Sequence, residues 1–363
     1  MRTLELLKRL PADQSQHIVV TTSGRKGSLA AEYERAGATV VPMAINQLRF
    51  IGDFYALLRR EQPHAVHSNI HFMSGPILLI ALVARVPNRV SHFRSDGDPI
   101  REGRGVRRLR NSVLKFLIGV CATRVLGVSP SAIESAWSPN WRTDPKCGLL
   151  ANGVDIARFQ ELLMAEDLVP LELPSGQSRY IVHIGRADTP TKNREKAISV
   201  FGDLAAGEDV ALLFVGRDGT TARDAAENLI RWQGQAAAAG VSGHVQFLGE
   251  RNDIDRLLLG ASAMLFTSTL EGLPGVLLEG LAAGLPIVSS DVAGAEFIAS
   301  TVEGLTILKP SDSDALWAAS VKSAMERPLT RDERIARSNK LRNSIFDLNV
   351  SSRNYLLAWG IVH

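Results

Sequence analysis

Short apolar runs alternate along the whole chain with longer segments whose apolar residues recur at helical spacing. This alternation is typical of βαβ units, in which helices join parallel strands. Six runs in each half predict strands. They lie at residues 17–22, 39–43, 65–69, 89–93, 124–129, 148–152, 180–185, 211–216, 244–249, 263–268, 286–290 and 305–308. The pattern predicts an α/β protein with two Rossmann-like, doubly wound parallel-sheet domains.

The alternation is interrupted once, by a stretch that contains Pro170, Pro174 and Gly176 and reads as a linker. We expect a first domain, this linker, a second domain, and a helical C-terminal segment that packs back toward the first domain. These segments span residues 1–165, 166–178, 179–330 and 331–363. Two such domains facing each other bind ligands in the cleft outside the carboxyl ends of their strands.

Composition narrows the class of protein. With 363 residues, 45% of them hydrophobic and 22% charged, the chain is neither disordered nor fibrous. Its two cysteines, Cys121 and Cys147, favour a reduced intracellular protein. The longest apolar run, residues 75–84, is about half the roughly 20 residues of a membrane span and predicts a buried helix. No signal peptide is recognisable, so a cytoplasmic location is expected.

Charge is distributed unevenly. Residues 1–160 carry 22 Lys and Arg against 12 Asp and Glu, which suggests that this half faces something anionic. Much of the excess lies in residues 101–124, where basic residues are interleaved with apolar ones at helical spacing. Such a helix is typical of peripheral contact with an anionic membrane. A solvated helix face packed on its own domain is the alternative.

The stretch over residues 265–294 carries the strongest chemical signal. A predicted strand ends near Thr267, Glu271 and Gly272 form a turn, and Pro274 suits the first position of a helix. The first open amides of this helix, on Gly275, Val276 and Leu277, would form a phosphate site. Glu279, eight positions after Glu271, suits sugar hydroxyls better than phosphate. Alternatively, Glu271 is a turn residue and Glu279 is an acid favoured by the helix dipole.

A second cluster follows the strand predicted at 180–185. Gly185 and Arg186 end this strand, and Lys192 and Asn193 stand where the next helix starts. Two cations at one strand-to-helix turn can neutralise a diphosphate. Solvation of both cations at the surface is the alternative.

These motifs, in this order, resemble the retaining glycosyltransferases of family 4, which have the GT-B fold. The E-x7-E signature is met by Glu271 and Glu279, and the Arg/Lys pair by Arg186 and Lys192. The "NGVD" segment at 152–155 and "GVSPSA" at 127–132 match the first domain of the family. The variants "SHFRSDGD" and "TKN" look most like its bacterial exopolysaccharide-type subgroup.

The resemblance implies a role for each matching residue. Arg186 and Lys192 would bind the donor diphosphate, Glu279 the ribose hydroxyls and Glu271 the transferred sugar. Amides of Leu273, Gly275 and Val276 would contact sugar or phosphate. His92 matches a first-domain histidine that touches the donor sugar, whereas His67 and Asn69 are expected only to line the cleft.

The implied reaction moves a sugar from a nucleotide-diphosphate sugar, expected to be a UDP-sugar, to a glycan or lipid-linked glycan of the cell surface. The leaving phosphate would take the proton of the acceptor hydroxyl, so no protein nucleophile is needed. No cofactor and no metal are expected, although three D-x-D strings occur. They are Asp96/Asp98, Asp253/Asp255 and Asp312/Asp314. Nucleic-acid binding is not expected, because the basic helix lacks interleaved aromatic residues.

Family members usually begin with a strand and a glycine-rich loop, whereas this chain begins with a predicted helix over residues 1–10. The missing strand would be central in its sheet, and its absence would leave buried backbone groups unpaired. A start recorded too late in the gene, or a degraded copy, would explain this departure. Two other functions stay open: a GT-B-fold UDP-sugar epimerase and a non-catalytic sugar-nucleotide-binding protein.

Overall fold

A computed structural model describes residues 2–9, 16–96, 105–165, 173, 176–187, 190–205 and 208–361. The chain forms two compact units. One comprises the chain up to Gly153 together with the segment from Leu348 onward, and the other comprises Val154–Asp347. Within the described residues, each of the twelve predicted strands is present, and all of their pairings are parallel. The predicted α/β class is therefore confirmed.

The first unit alternates strands and helices along the chain. Its strands are β1 (His17–Thr21), β2 (Ala38–Pro42), β3 (Ala65–Ser68), β4 (Asn88–Phe93), β5 (Arg124–Gly127) and β6 (Cys147–Leu149). Its helices are α1 (Arg2–Arg9), α2 (Ala30–Arg35), α3 (Arg49–Glu61), α4 (Ser74–Val83), α5 (Val106–Cys121) and α6 (Pro130–Ala136). The predicted N-terminal helix is confirmed by α1.

The strands of the first unit form two sheets, β1–β2 and β3–β4–β5–β6. The division lies between β1 and β3, which are not hydrogen-bonded to each other. Apolar side chains of both sheets nevertheless share cores: Val19 of β1 and Val90 of β4 belong to one hydrophobic cluster, and Val20 of β1 and Val66 of β3 belong to another. Hydrophobic burial thus joins the two sheets where strand pairing does not.

The apolar run at 75–84 forms the predicted helix, α4, which packs tightly on α5. The helix is not wholly buried as predicted, because Leu79, Leu82 and Val83 are exposed. A Cβ atom added at Gly75 would lie 2.6 Å from the Leu114 carbonyl oxygen, so only glycine permits this approach. Leu78 and Ile118 are fully buried between these helices and the sheet. No helix in the part of the chain that the structure describes is long and apolar enough to cross a membrane.

The second unit repeats the same alternation. Its strands are β7 (Arg179–Ile184), β8 (Val210–Val215), β9 (Val245–Phe247), β10 (Ala263–Phe266), β11 (Ile287–Ser290) and β12 (Leu305–Leu308). Its helices are α7 (Ile156–Met164), α8 (Arg194–Leu204), α9 (Ala222–Ala238), α10 (Ile254–Gly260), α11 (Gly275–Ala282), α12 (Ala293–Thr301), α13 (Asp314–Ala324) and α14 (Arg331–Asn339). The last helix, α15 (Leu348–Ala358), belongs to the first unit.

The sheet of the second unit has the order β12–β11–β10–β7–β8–β9. This is the doubly wound Rossmann order, in which the direction of winding reverses between β7 and β10. All six residues of β8 are fully buried, as expected for a central strand covered by helices on both faces. Trp317 of α13 and Phe201 of α8 fill the core on one side.

The domain limits observed differ from those expected from the sequence. The first unit ends at Gly153 rather than 165, because α7 packs on α10, α11 and α14 of the second unit. Residues 331–347 also belong to the second unit, and only the segment from 348 onward packs on the first. The predicted linker lies mostly outside the described residues.

Candidate active site

The chemistry predicted for the second unit is gathered at the point where its sheet reverses direction. One segment, described over residues 185–187 and 190–193, follows the carboxyl end of β7, and another, residues 267–274, follows the carboxyl end of β10. These two strands are neighbours, with Ala263 paired to Ile181. In open parallel sheets this switch point is where ligands bind.

Hydrogen bonds join the two segments directly. The Thr267 hydroxyl donates to the Asn193 carbonyl at 2.8 Å, and the Thr269 amide donates to the Thr191 carbonyl at 2.8 Å. Asn193 adopts a left-handed conformation, with φ of 50°, immediately before α8. Asparagine tolerates this conformation better than most residues, which lets the segment turn sharply into the helix.

A buried histidine reinforces this junction. His183 Nε2 lies 3.1 Å from the Thr267 hydroxyl and 3.2 Å from the Lys192 carbonyl oxygen. Because a carbonyl oxygen can only accept, Nε2 carries the ring proton. Burial, with the nearby charges of Arg194 and Lys192, lowers the pKa of His183 to about 3. The ring is thus a neutral donor that ties the two segments together.

Lys192 and Glu271 meet across the junction as an ion pair, and each side chain is only 19% exposed. The Ser268 hydroxyl also donates to Glu271 Oε1, at 3.3 Å. The stem of Lys192 runs over Gly185, where a Cβ atom would lie 2.9 Å from Lys192 Cδ. The lysine ammonium is therefore held at the carboxyl ends of β7 and β10 by its pairing and by the space that glycine leaves.

Arg194, two positions after Lys192, is buried and acts inside the unit. Its guanidinium pairs with Asp218 at 2.5 Å and donates to the carbonyls of Gly185 and Gly216 at 3.3 and 3.2 Å. It also lies over the Trp232 ring, 4.6 Å from the centroid. Arg194 thereby braces the turns after β7 and β8. This role of Arg194 was not predicted from the sequence, because the local pattern does not distinguish a buried arginine from an exposed one on a helix.

The proline turn after β10 leads into α11. The sequence predicted Pro274 as the first residue of the helix, but it is the residue before the helix, which begins at Gly275. The Leu277 amide donates to the Pro274 carbonyl at 3.1 Å, so it is not one of the open amides that the sequence analysis expected. Gly294 of α12 packs against this turn, since a Cβ atom there would meet the Gly272 carbonyl oxygen at 2.7 Å.

The other predicted site residues are placed as follows. Arg186 is exposed at the end of β7, and Glu279 is half-buried one turn into α11. Gly275 and Val276 are half-buried at the start of that helix, and Leu273 is buried. The structure brings Lys192 and Glu271 together; contacts of the remaining residues with a ligand stay predictions.

His92 lies in the first unit, at the end of β4, and is only 1% exposed. Its Nδ1 atom is 3.1 Å from Nε2 of His67 in the neighbouring strand β3. Burial, then the charges of His67 and Arg94, holds the pKa of His92 well below its usual range. The ring is therefore neutral, and its predicted contact with a donor sugar stays a prediction.

Comparison with known proteins identifies the family. Residues 1–136 match the glycosyl transferase 4-like domain, and residues 170–342 match glycosyl transferases group 1. The capsular polysaccharide biosynthesis glycosyltransferase CapH of Staphylococcus aureus is 28% identical over 97% of this chain and 92% of that protein. The chain is a family 4 glycosyltransferase with the GT-B fold.

Two further relatives are informative. An Escherichia coli UDP-Gal:alpha-D-GlcNAc-diphosphoundecaprenol alpha-1,3-galactosyltransferase is 23% identical to this glycosyltransferase, over 78% of this chain and 72% of that one. The crystal structure of Anabaena HepE in complex with UDP-glucose superposes with a TM-score of 0.74 at 17% identity, covering 99% of this chain and 95% of that one. The second comparison concerns the fold alone.

The aspartates of the D-x-D strings that the structure describes have partners within the protein. Asp96 accepts a hydrogen bond from Ser131, whereas Asp98 lies outside the described residues. Asp253 and Asp255 pair with Arg251 and Arg158. Asp312 accepts a hydrogen bond from the Lys309 amide, and Ser313 caps α13. Across the described ranges, no three potential ligands cluster to hold a metal ion.

Arg194→Met should lower the free energy of unfolding of this glycosyltransferase by about 3 kcal/mol. The substitution leaves the Asp218 carboxylate without its buried partner. Asp218 is 17% exposed, which places the loss at the low end of the range for buried pairs. Urea denaturation measures it. Arg223→Met is the matched control: its side chain is 87% exposed, so the loss should stay below about 1 kcal/mol. Equal losses would contradict the bracing role.

Proposed function

We propose that this glycosyltransferase moves a sugar, with retention of configuration, from a UDP-sugar to a glycan or lipid-linked glycan acceptor in cell-surface polysaccharide synthesis. The names of two relatives support the acceptor class, since one acts in capsular polysaccharide biosynthesis and the other on a diphosphoundecaprenol-linked sugar. The UDP-glucose complex of HepE supports the donor class. The reaction would take place on the cytoplasmic side of the membrane.

The observation that carries the proposal is the position of Lys192 at the sheet's switch point. Its ammonium lies beside the carboxyl ends of β7 and β10, with exposed Arg186 in the same segment and the start of α11 in the other. A diphosphate placed here would meet cationic side chains and the positive end of a helix dipole. No carboxylate nucleophile is required by this arrangement.

The ion pair between Lys192 and Glu271 allows a donor phosphate to replace Glu271 as the partner of the lysine. A donor phosphate would compete with Glu271 for the ammonium, and the released carboxylate would then be available to accept hydrogen bonds from sugar hydroxyls. Glu279, eight positions further on in α11, is proposed to bind the ribose hydroxyls. The carboxylates thus face neutral groups while the cations face the phosphates, which keeps like charges apart.

The chemical contribution of these residues is electrostatic. When the anomeric bond breaks, negative charge develops on the leaving UDP, and a fixed cation there lowers the barrier more than the same cation in water would. The leaving phosphate oxygen is then proposed to take the proton of the acceptor hydroxyl on the same face of the sugar. His183 and Thr267 contribute indirectly, because they hold the backbone that carries Lys192.

Lys192→Ala should lower kcat/KM for donor turnover about 100-fold, because it removes the charge that faces the leaving group. The assay incubates the full-length protein with UDP- and GDP-sugars and follows free nucleotide, transferred sugar and any epimer. Lys322→Ala is the matched control, since Lys322 is 63% exposed and pairs with Glu208 on the surface. It should keep full activity.

Four outcomes of the same assay would contradict all or part of the proposal. Full activity of Lys192→Ala would remove the charge argument. An epimerised sugar nucleotide without transfer would indicate an isomerase, and donor binding without any turnover would indicate a binding protein. Turnover of GDP-sugars alone would overturn the donor assignment while leaving the transfer reaction intact.

The predicted membrane contact also has support in the first unit. Along α5 the exposed large apolar residues recur every three or four positions and so share one face. They are Val106, Leu109, Val113, Phe116 and Val120. Helix α5 contains no acidic residue, and Arg107, Arg108 and Arg110 are exposed near its start. Leu79, Leu82 and Val83 of the adjoining α4 are exposed as well. Residues 101–104 of the predicted basic segment lie outside the described residues.

We propose that this α5 face lies on an anionic membrane surface. An apolar stripe with flanking arginines is the pattern of interfacial helices, in which apolar side chains enter the acyl boundary and cations reach the headgroups. A membrane position would bring the enzyme to a lipid-linked acceptor. A second copy of the chain could cover the same stripe, and the test below distinguishes these two occupants.

The double substitution Leu109→Glu and Phe116→Glu should weaken binding to vesicles of phosphatidylglycerol at least tenfold, because two large apolar side chains leave the interface. Cosedimentation measures the binding, and phosphatidylcholine vesicles should bind the wild type weakly. Ile230→Glu, at an exposed apolar residue of α9, is the control and should bind like wild type. Equal binding to both lipids would overturn the preference for an anionic surface, and a dimer that the double variant dissociates would overturn the membrane contact.

A further inference from the structure

Three aromatic nitrogen-bearing side chains form a hydrogen-bonded chain inside the first unit. Trp359, immediately after α15, donates its indole N–H to Nδ1 of His67 in β3 at 3.0 Å. Nε2 of His67 lies 3.1 Å from Nδ1 of His92 in β4. Tyr355 of α15 packs on both imidazoles, with its ring centroid 5.4 Å from that of His67 and 6.1 Å from that of His92.

The direction of these hydrogen bonds is fixed by Trp359. An indole nitrogen can only donate, so Nδ1 of His67 must be unprotonated. Burial and the charge of Arg94 lower the pKa of His67 to about 3, so the ring is neutral and its proton is on Nε2. That proton is donated to Nδ1 of His92. Since His92 is neutral too, its own proton must be on Nε2.

The last donor of this hydrogen-bonded series, the Nε2–H group of His92, has no well-placed acceptor among the described residues. Nε2 of His92 is buried and meets no acceptor with full hydrogen-bond geometry. The Leu150 carbonyl interacts with the ring and raises its pKa, but less than burial lowers it. An unsatisfied buried donor costs about 1–3 kcal/mol. Buried polar groups are nearly always satisfied in folded proteins, so a donor left over in this way points to an acceptor supplied by a ligand.

We propose that Trp359 and His67 are positioning residues that hold His92 as a neutral Nε2–H donor for a sugar hydroxyl. The indole from the C-terminal segment fixes the tautomer of the first ring, and that ring fixes the tautomer and orientation of the second. A neutral donor suits an uncharged hydroxyl and adds no charge beside Arg94. The sugar as acceptor rests on the proposed function, whereas the tautomer does not.

The tautomers can be measured directly on the full-length protein labelled with ¹⁵N-histidine. Two-bond proton–nitrogen correlation spectra show which nitrogen of each ring carries the proton, and His67→Gln and His92→Asn assign the two signals. The wild type should show the Nε2–H form for both rings. A proton on Nδ1 of either ring, or a charged ring at neutral pH, would overturn the proposal without reference to any variant.

Trp359→Phe tests whether the indole N–H of Trp359 fixes the tautomers of His67 and His92. The substitution keeps a ring in place but removes the indole N–H donor. His67 should then populate both tautomers, and His92, which accepts its proton from His67, should populate both as well. Tyr355→Phe is the matched control, because it keeps the packing ring and should leave both tautomers as in wild type. Unchanged tautomers in a folded Trp359→Phe variant would overturn the role of Trp359.

The sugar contact has its own measurement. Adding UDP-sugar or acceptor glycan should shift the His92 Nε2–H signal, and Trp359→Phe should lower kcat for transfer roughly three- to tenfold with a smaller change in KM, as expected for one hydrogen bond. A signal that neither sugar shifts would indicate an internal water as the acceptor and overturn the sugar contact. Absence of transfer by the wild type would instead contradict the proposed function and leave the tautomer result standing.

Discussion

The hydrogen bonds between the ends of β7 and β10 hold the candidate site of the second unit in one arrangement. His183 donates to the Lys192 carbonyl and Thr267 donates to the Asn193 carbonyl, both at the sharp turn into α8. Since buried backbone groups must be paired, these hydrogen bonds hold the two segments together. Lys192 and Glu271 meet because of this constraint, and the proposed exchange between carboxylate and phosphate depends on it.

Lys192 and Arg194, which are two positions apart, have different roles because their side chains are buried to different extents. Arg194 is enclosed by Asp218, Trp232 and two backbone carbonyls, so its charge is already balanced inside the protein. Lys192 is partly exposed, and its partner Glu271 is a side chain that can turn to another ligand. A ligand anion can therefore compete for the lysine, whereas the arginine serves to shape the turn over which that lysine lies.

The first unit depends on its C-terminal segment as well as on its sheets. Its six strands form two separate parallel sheets, and burial of side chains from both, rather than strand pairing, joins them. Helix α15 returns from the second unit to this core, where Tyr355 packs on the histidine pair and Trp359 bonds to it. Two rings at strand ends thus contact residues that are about 260 to 290 positions away in the chain.

The sequence by itself determined the strands, the α/β class and the two segments that carry Lys192 and Glu271, because periodicity, glycine, proline and charge act over a few neighbouring residues. Only the tertiary structure decided that α7 belongs to the second unit and that the Leu277 amide donates to the Pro274 carbonyl. It also decided that Arg194 is buried, whereas Lys192 is partly exposed at the candidate site. It also decided the pairing of His67 with His92 and Trp359. These outcomes depend on contacts between distant residues, whose burial and hydrogen-bond partners no local pattern records.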